Sequence, residues 1–170
     1  MKKITLQLVS LFFLLVFLQI WLFNNIGLFG FATPLLYIYF LIKLPISMNR
    51  NIVILLSAFL GFTIDIFGST LGLSMTALVI TGFLRFYLLK LFTPRDVIGD
   101  YSPSFSVFGR YFFLRYAAVI TLIHTFLLYT IESFSLFNPL LLFLRIIGSF
   151  TLTILLIFAF ESINIDAFKK

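Results

Sequence analysis

The sequence predicts an all-α integral membrane protein with about six transmembrane helices in one bundle. Of its 170 residues, 62% are hydrophobic and 11% are charged, whereas a soluble domain is roughly half apolar and a quarter charged. The 25 phenylalanines add to an apolar surface that no soluble fold of this size could bury. A spanning helix needs roughly 20 residues, so the length allows about six spans with short connections, all within a single membrane domain.

Six apolar segments separated by turn-forming residues account for most of the chain. They predict helices over about 4–23, 34–45, 52–67, 71–92, 111–131 and 139–161, with one sizeable cytoplasmic loop at 93–110. The first segment follows a basic start but lacks a signal-peptide cleavage site, so we interpret it as a retained helix. Thr33 and Pro34 predict the N-cap and first position of the second helix. The third helix, of about 16 residues or roughly 24 Å, is short enough to stand upright or thin the bilayer.

Lysine and arginine are distributed asymmetrically between the two sides of the predicted bundle. With the amino terminus inside, the cytoplasmic flanks carry Lys2, Lys3, Lys43, Arg50, Lys90, Arg95, Arg110, Arg115, Lys169 and Lys170. The predicted outer loops carry neither residue type, so the positive-inside rule places both termini of the predicted inner-membrane protein in the cytoplasm. The net charge of +6 therefore indicates topology and contact with anionic membrane lipid, and we expect no nucleic-acid partner.

Three charged residues fall in the outer half of the predicted spans, where each costs roughly 2.5–3.5 kcal/mol to insert. Asp65 lies near the end of the third helix, Glu132 at the end of the fifth, and Arg145 about two turns into the sixth. A pair of Arg145 with Asp65, Glu132 or both would neutralise the guanidinium and hold up to three helices together. Alternatively, one of these charges faces a water-filled cavity that binds a ligand or a partner helix. The sequence leaves both interpretations open.

Two further polar residues lie deeper in the predicted spans. Arg85 is about two turns from the cytoplasmic end of the fourth helix, so we expect its long side chain to extend toward that end beside Lys90. His124 lies near the middle of the fifth helix with Thr121 and Thr125 close by. We expect His124 to make an interhelical hydrogen bond rather than to relay protons.

Glycines recur around Asp65. Gly61, Asp65, Gly68 and Gly72 follow one another at spacings of four, three and four residues, so on a continuous helix they share one face. Small residues on such a face allow a neighbouring backbone to approach closely. Gly68 and Gly72 are equally consistent with a turn into the fourth helix.

The residue types needed for common catalytic chemistry are missing. The chain has no cysteine and a single histidine, and it contains no Gly-x-Ser-x-Gly elbow, phosphate loop or cluster of metal ligands. These observations predict a protein that is not an enzyme and that uses no catalytic residue, cofactor or metal.

The stretch from Gly61 to Gly72, GFTIDIFGSTLG, followed by LSMTAL, resembles the signature region of the rod shape-determining MreD family. In that region an aspartate closes a short helix, and a turn rich in glycine and hydroxyl residues opens the next. The segments ATPLLYIYF at 32–40 and LFTPRD at 91–96 are similar to Bacteroidetes-type members of the family. The chain length, basic amino terminus and number of spans also fit the general plan of the family.

The resemblance implies a scaffold of the bacterial cell-elongation complex, which controls cell shape and peptidoglycan synthesis. It implies MreC, the actin-like MreB filament, RodA and a class B penicillin-binding protein as partners, with MreC docking laterally in the membrane. The implied fold is similar to the substrate-binding S component of energy-coupling-factor transporters. The family has no assigned catalytic residues, so only Asp65 and its neighbouring glycines carry over, as motif positions.

Two alternatives remain at this point. The chain has the size, charge and helix number of an S component that binds a vitamin, for which Asp65, Glu132 and Arg145 lie at a suitable depth to line a pocket. A lipid-modifying enzyme would require His124 or Asp65 to be catalytic without polar partners. A scaffold role is the prediction that the residues and the resemblance favour.

Overall fold

The computed structural model describes residues 2–23, 32–70, 72–93, 101–133 and 138–167. They form α1 (Lys2–Leu18), which continues as a π-helical turn (Gln19–Phe23), then α2 (Ile38–Lys43), α3 (Arg50–Gly68), α4 (Leu73–Phe92), α5 (Phe105–Glu132) and α6 (Pro139–Ala167). The all-helical class is thereby confirmed for this part of the chain. Most of the predicted first outer turn, Arg95, and the terminal Lys169 and Lys170 lie outside the described residues.

Four helices are long and apolar enough to cross a membrane, namely α3, α4, α5 and α6. The helix made of α1 and the π-helical turn is apolar over Leu6–Leu22, a shorter stretch at the lower limit of roughly 17 residues for a span. A membrane-embedded helical protein is therefore confirmed, whereas the predicted number of six spans is not.

The second predicted helix, 34–45, is wrong in its extent. Only Ile38–Lys43 is helical, and six residues rise about 9 Å, far less than the roughly 30 Å of a bilayer core. Pro34 is not the first helical residue, and Thr33 does not cap a helix at this point. The physical reason is that side chains from other helices bind the backbone here, as described below, and so replace the hydrogen bonds of a helix.

Several other boundaries differ from prediction. Helix α3 begins at Arg50 because the Asn49 side chain accepts a hydrogen bond from the Asn51 amide at 3.0 Å. Its 19 residues span about 28 Å, so the predicted helix 52–67 is present but is longer than expected and needs no local thinning of the bilayer. Helix α6 continues through the predicted charged tail to Ala167.

Helix α5 extends into the loop predicted at 93–110. It begins at Phe105, and Gly109 interrupts it with a backbone φ of 74°, a conformation that favours glycine. Of the remaining loop, residues 94–100 lie outside the described part. Tyr101 is tied to the bundle, because its carbonyl accepts the Ile46 amide at 3.0 Å.

Helices α3 to α6 run alternately up and down, each packed mainly on its neighbour in sequence. The end of the bundle at which α5 ends and α6 begins is called the Glu132 end. The opposite end, close to the last residues of α6, is called the Glu161 end. Residues 32–44 lie inside this arrangement. Nine consecutive residues, 34–42, are buried by the surrounding helices, and Lys43 is partly buried.

Large apolar side chains also cover the outside of the bundle. Phe13, Leu55, Leu91, Phe126 and Leu140 are each more than half exposed. A water-soluble protein rarely presents so much contiguous apolar surface, whereas a hydrocarbon environment solvates it without cost. The exposed faces therefore agree with the membrane assignment.

Candidate functional site

The central feature of the bundle is the segment 32–44, which we call the crossing segment. Its first residues contact α6 near the Glu132 end, where the Thr33 amide donates to Ser149 Oγ at 3.0 Å. Its last residues reach the Glu161 end, where Lys43 Nζ lies 2.8 Å from Glu161 Oε2. Ser149 and Glu161 are separated by about 18 Å along α6. The crossing segment therefore traverses more than half of a bilayer core with only six helical residues.

Side chains from α6 and the π-helical turn bind the non-helical part of the crossing segment. Gln19 Nε2 donates to the Pro34 carbonyl, and Gln19 Oε1 accepts from the Leu36 amide, both at 3.0 Å. Thr153 Oγ1, one turn beyond Ser149 on α6, accepts from the Leu35 amide at 3.0 Å. Irregular backbone at membrane depth is tolerated only where such partners are supplied. These contacts explain how residues 33–36 remain non-helical inside the bundle.

The sequence analysis did not identify Gln19, Ser149 or Thr153. A usable signal was present, since Ser149 and Thr153 form a polar pair at i, i+4 in a predominantly apolar helix. A proline at position 34 within an apolar segment was a second signal that a continuous helix is difficult to form there.

His124 connects the crossing segment to α5. The Tyr37 hydroxyl and His124 Nε2 are 2.8 Å apart, and both side chains are buried. His124 therefore makes a hydrogen bond to another segment of the bundle, as predicted, although Tyr37 precedes helix α2 and the bond is not strictly interhelical. Nearer the Glu132 end, the Tyr129 hydroxyl lies 2.7 Å from Thr33 Oγ1 and 2.6 Å from Ser149 Oγ, which joins the crossing segment to both α5 and α6.

At the other end of the crossing segment, Glu161 organises a buried polar cluster that the sequence analysis missed. Glu161 is only 2% exposed. Besides its ion pair with Lys43, its carboxylate accepts hydrogen bonds from the Tyr39 hydroxyl at 2.6 Å and from the Phe105 amide at 3.1 Å. The carboxylate of Glu161, a residue of α6, thus connects this helix to the crossing segment and to the first residue of α5. From the sequence, Lys43 was interpreted only as a basic residue at the cytoplasmic side of a span. The ion pair could not be predicted, because its two residues are distant in sequence.

Arg85 provides another contact to the end of the crossing segment. It is 2% exposed, and its guanidinium donates to the Leu44 carbonyl. Arg85 therefore extends toward the Glu161 end, but inside the bundle, so the prediction that it lies beside the exposed Lys90 is wrong. The acceptor at Leu44 is available because the backbone leaves the helical conformation at that residue.

Asp65 caps the following helix. It is 3% exposed, and its two carboxylate oxygens accept from the Ser74 and Met75 amides, each at 2.9 Å, while Thr70 Oγ1 donates at 3.0 Å. The first amides of α4 lack intrahelical acceptors and carry the positive end of the helix dipole, so a carboxylate stabilises them. The suggested Asp65–Arg145 pair is thus wrong, because α4 occupies the carboxylate.

The glycines of the same region have two different roles. A Cβ atom added at Gly61 would lie 2.4 Å from the Met75 Cα, so this position requires glycine for the close approach of α3 and α4. Gly72 precedes α4 with a backbone φ of 80° and has open space around its Cα. Gly68 is the last residue of α3. Close approach is therefore confirmed at Gly61, whereas Gly68 and Gly72 belong to the turn.

Removing the cap should destabilise the α3–α4 hairpin. We expect Asp65→Ala to lower the free energy of unfolding by about 0.5–2 kcal/mol, the usual range for loss of an N-cap. Unfolding in mixed detergent and dodecyl sulfate micelles, followed by circular dichroism, measures this change. Thr70→Val removes one of the three hydrogen bonds to Asp65 and should have a smaller effect. Equal effects of the two substitutions would contradict the capping role.

The close approach at Gly61 is tested by adding one methyl group. We expect Gly61→Ala to destabilise the protein by about 1–3 kcal/mol, because the added Cβ meets backbone that cannot move aside. The control is Gly82→Ala, where the new Cβ lies 2.5 Å from Ser57 Oγ, a side-chain atom. There the combination with Ser57→Ala should restore stability. If Gly61→Ala leaves the free energy of unfolding unchanged in the same assay, α3 and α4 can move apart at little energetic cost and the close approach is not required for stability.

Glu132 and Arg145 form the ion pair that was one of the predicted possibilities. Arg145 Nη1 lies 3.3 Å from Glu132 Oε1, and the two side chains are 29% and 40% exposed. The pair links α5 to α6 but not to α3, so the suggested connection of three helices is wrong. Glu132 is the last residue of α5 and lies at the end of the bundle, and pairs that reach water contribute at most about 1 kcal/mol.

A cavity of about 290 Å³ opens near the Glu132 end. The crossing segment, the π-helical turn, the α3–α4 turn and the end of α5 enclose it. Its lining residues are Gln19, Thr33, Leu35, Tyr37, Ile64, Phe67, Gly68, Thr70, Leu73, Ser74, Leu128, Tyr129 and Glu132. Of the three charged residues considered from the sequence, only Glu132 lines this cavity.

Within the described ranges, no three His, Asp or Glu residues gather in an arrangement that could hold a metal ion. The polar side chains instead serve to bind backbone, to cap helices and to pair with one another. Comparisons with protein-family models, with curated proteins and with solved structures find no significant match to this chain.

Proposed function

We propose that this chain is an MreD-like scaffold of the bacterial cell-elongation complex, embedded in the inner membrane and acting without catalysis of its own. The observation that supports the proposal is the region 61–78, which resembles the signature of that family. In the structure these residues form one unit, in which Gly61 allows close helix packing and Asp65 caps α4. A motif that builds a tight helical hairpin suits a protein whose task is to hold partners in position.

The proposed orientation follows from the charges at the Glu161 end. Lys43, Arg50, Lys90, Arg110 and Arg115 all lie on helix segments near that end. Several stack on aromatic rings, as Arg50 does at 3.8 Å from the Phe83 ring centre, an arrangement typical of a membrane interface. We propose that this end faces the cytoplasm, where it contacts MreB or anionic lipid, and that further spans complete a fold similar to an S component.

The proposed docking face for the membrane segment of MreC lies on α1. Gln7 and Ser10 are exposed on this helix within an apolar run, three residues apart and hence on one side. Exposed hydroxyls elsewhere, such as those of Thr76 and Thr151, bond to their own helix backbone. Polar side chains that face outward in a membrane are suited to hydrogen bonding with a neighbouring helix. RodA and the class B penicillin-binding protein would then join through MreC.

Affinity purification of the tagged chain from gently solubilised native membranes tests this proposal. We expect MreC and the elongation synthases to co-purify with the native chain. The amount recovered with the Gln7→Leu/Ser10→Leu double variant should fall about tenfold, because the loss of a few interhelical hydrogen bonds of ~0.6 kcal/mol each suffices for such a decrease. Thr151→Leu, also on an exposed helix face, is the matched control and should retain them. Membrane abundance of all variants is measured in parallel.

Two results would overturn the proposal. Co-purification of paired ATPases with a coupling membrane subunit would identify a transporter component instead. Recovery of neither set of partners from native membranes at normal abundance would exclude a stable scaffold. Retention of MreC by the α1 double variant would reject α1 as the docking face, since the control and the double variant would then behave alike.

A further inference from the structure

The cavity near the Glu132 end differs from a packing defect in its lining. An accidental void inside a bundle is usually apolar and dry. Here hydroxyl or amide groups of Gln19, Thr33, Tyr37, Ser74 and Tyr129 converge from the π-helical turn, the crossing segment, α4 and α5. Its volume of about 290 Å³ is close to the lower limit of roughly 300 Å³ for pockets that hold small organic ligands. Thr33 and Tyr129 bond to each other and Tyr37 bonds to His124, but a hydroxyl group has one donor and two acceptor positions, so these groups keep hydrogen-bonding capacity for water or a ligand.

The cavity also has a definite electrostatic character. Among the described residues that line it, Glu132 is charged and no lysine or arginine is present. Arg145 pairs with Glu132 from α6 but is not part of the lining. A carboxylate at the mouth repels anions, and the tyrosine rings favour cations on their faces.

We propose that this cavity is an open binding site for small neutral or cationic polar molecules, bearing hydroxyl, amide or amine groups, and that it excludes anions. The hydroxyl groups of the lining supply hydrogen bonds to such a molecule, while Leu35, Ile64 and Leu128 supply apolar walls. The crossing segment forms one wall through Thr33 and Tyr37, so a bound molecule contacts the same residues that His124 and Tyr129 hold in place. This inference is independent of the proposed scaffold function.

The chain contains no cysteine, which allows the site to be probed by single thiols. Ser74→Cys places a thiol on the cavity wall with little change in volume. The purified protein in lipid nanodiscs, with both faces accessible, is treated with three methanethiosulfonates that carry a trimethylammonium, a hydroxyl or a sulfonate group. In each reaction the thiolate attacks the sulfenyl sulfur, forming a mixed disulfide and releasing methanesulfinate. Ser106→Cys, an exposed position, provides the reference rate for each reagent, and Ser57→Cys provides a buried reference.

We expect Ser74→Cys to react with the cationic and neutral reagents at rates within about tenfold of those of Ser106→Cys. After each rate is divided by that of Ser106→Cys, the anionic reagent should react with Ser74→Cys at least about tenfold more slowly than the cationic reagent. Adding Glu132→Gln should reduce this discrimination, while the Asp65 carboxylate, which binds the Ser74 amide, remains as a second negative charge. If Ser74→Cys is as inert as Ser57→Cys, the cavity is not an open site and the proposal fails. Equal normalised rates for cation and anion would overturn the proposed ligand class. Helical content and monodisperse elution are checked for every variant.

Discussion

Replacing Glu161 by glutamine is expected to lower the free energy of unfolding by about 3–5 kcal/mol, the range for breaking one partner of a buried ion pair. The substitution preserves the side-chain volume but removes the charge that neutralises Lys43. It also weakens the acceptor for the Tyr39 hydroxyl and the Phe105 amide. Because all four groups are largely enclosed by protein, water cannot replace the lost interactions efficiently.

Unfolding in mixed micelles measures this effect, and the chain contains its own control. Glu132→Gln is chemically the same change in an exposed pair, and it should cost no more than about 1 kcal/mol. A double-mutant cycle with Lys43→Met separates the pair from the other hydrogen bonds. If removal of both charges recovers part of the stability, the unpaired Lys43 is the main source of the loss. Equal effects of Glu161→Gln and Glu132→Gln would refute the buried cluster.

Replacing Gln19 by leucine is expected to have the second large effect. The change leaves the Pro34 carbonyl and the Leu36 amide without their side-chain partner, at about 1–3 kcal/mol for each unsatisfied group. Leucine has a side-chain volume similar to that of glutamine, so the loss of stability arises from the missing hydrogen bonds rather than from a cavity. The cost should be high because the crossing segment lies inside the bundle, away from water.

The control for Gln19→Leu is Gln7→Leu on the same helix. Gln7 is exposed, so replacing it with leucine should leave the unfolding free energy within about 0.5 kcal/mol of the native value. Limited proteolysis of the solubilised protein should in addition show new cleavage within 32–44 for the Gln19 variant alone. Unchanged stability and protection would mean that the non-helical backbone is supported without Gln19.

The sequence determined the class of the protein and the local features. Apolar runs of sufficient length identified α3 to α6, because hydropathy averaged over about 20 residues measures the cost of placing a helix in lipid. The spacing of Gly61 correctly indicated close packing, and the isolation of His124 in an apolar span indicated a hydrogen bond to another segment. These inferences succeeded because each depends on the residue's own chemistry and its immediate neighbours.

The tertiary structure alone decided how the crossing segment is built and what binds it. The partners of this segment on α6 lie more than 110 residues away in sequence, so no local pattern connects them. Hydropathy also does not distinguish an apolar segment surrounded by lipid from one surrounded by protein, and only the former must be fully helical. Residues 34–45 were apolar enough for a span, but enclosure by other helices allowed Gln19, Ser149 and Thr153 to take the place of its helical hydrogen bonds.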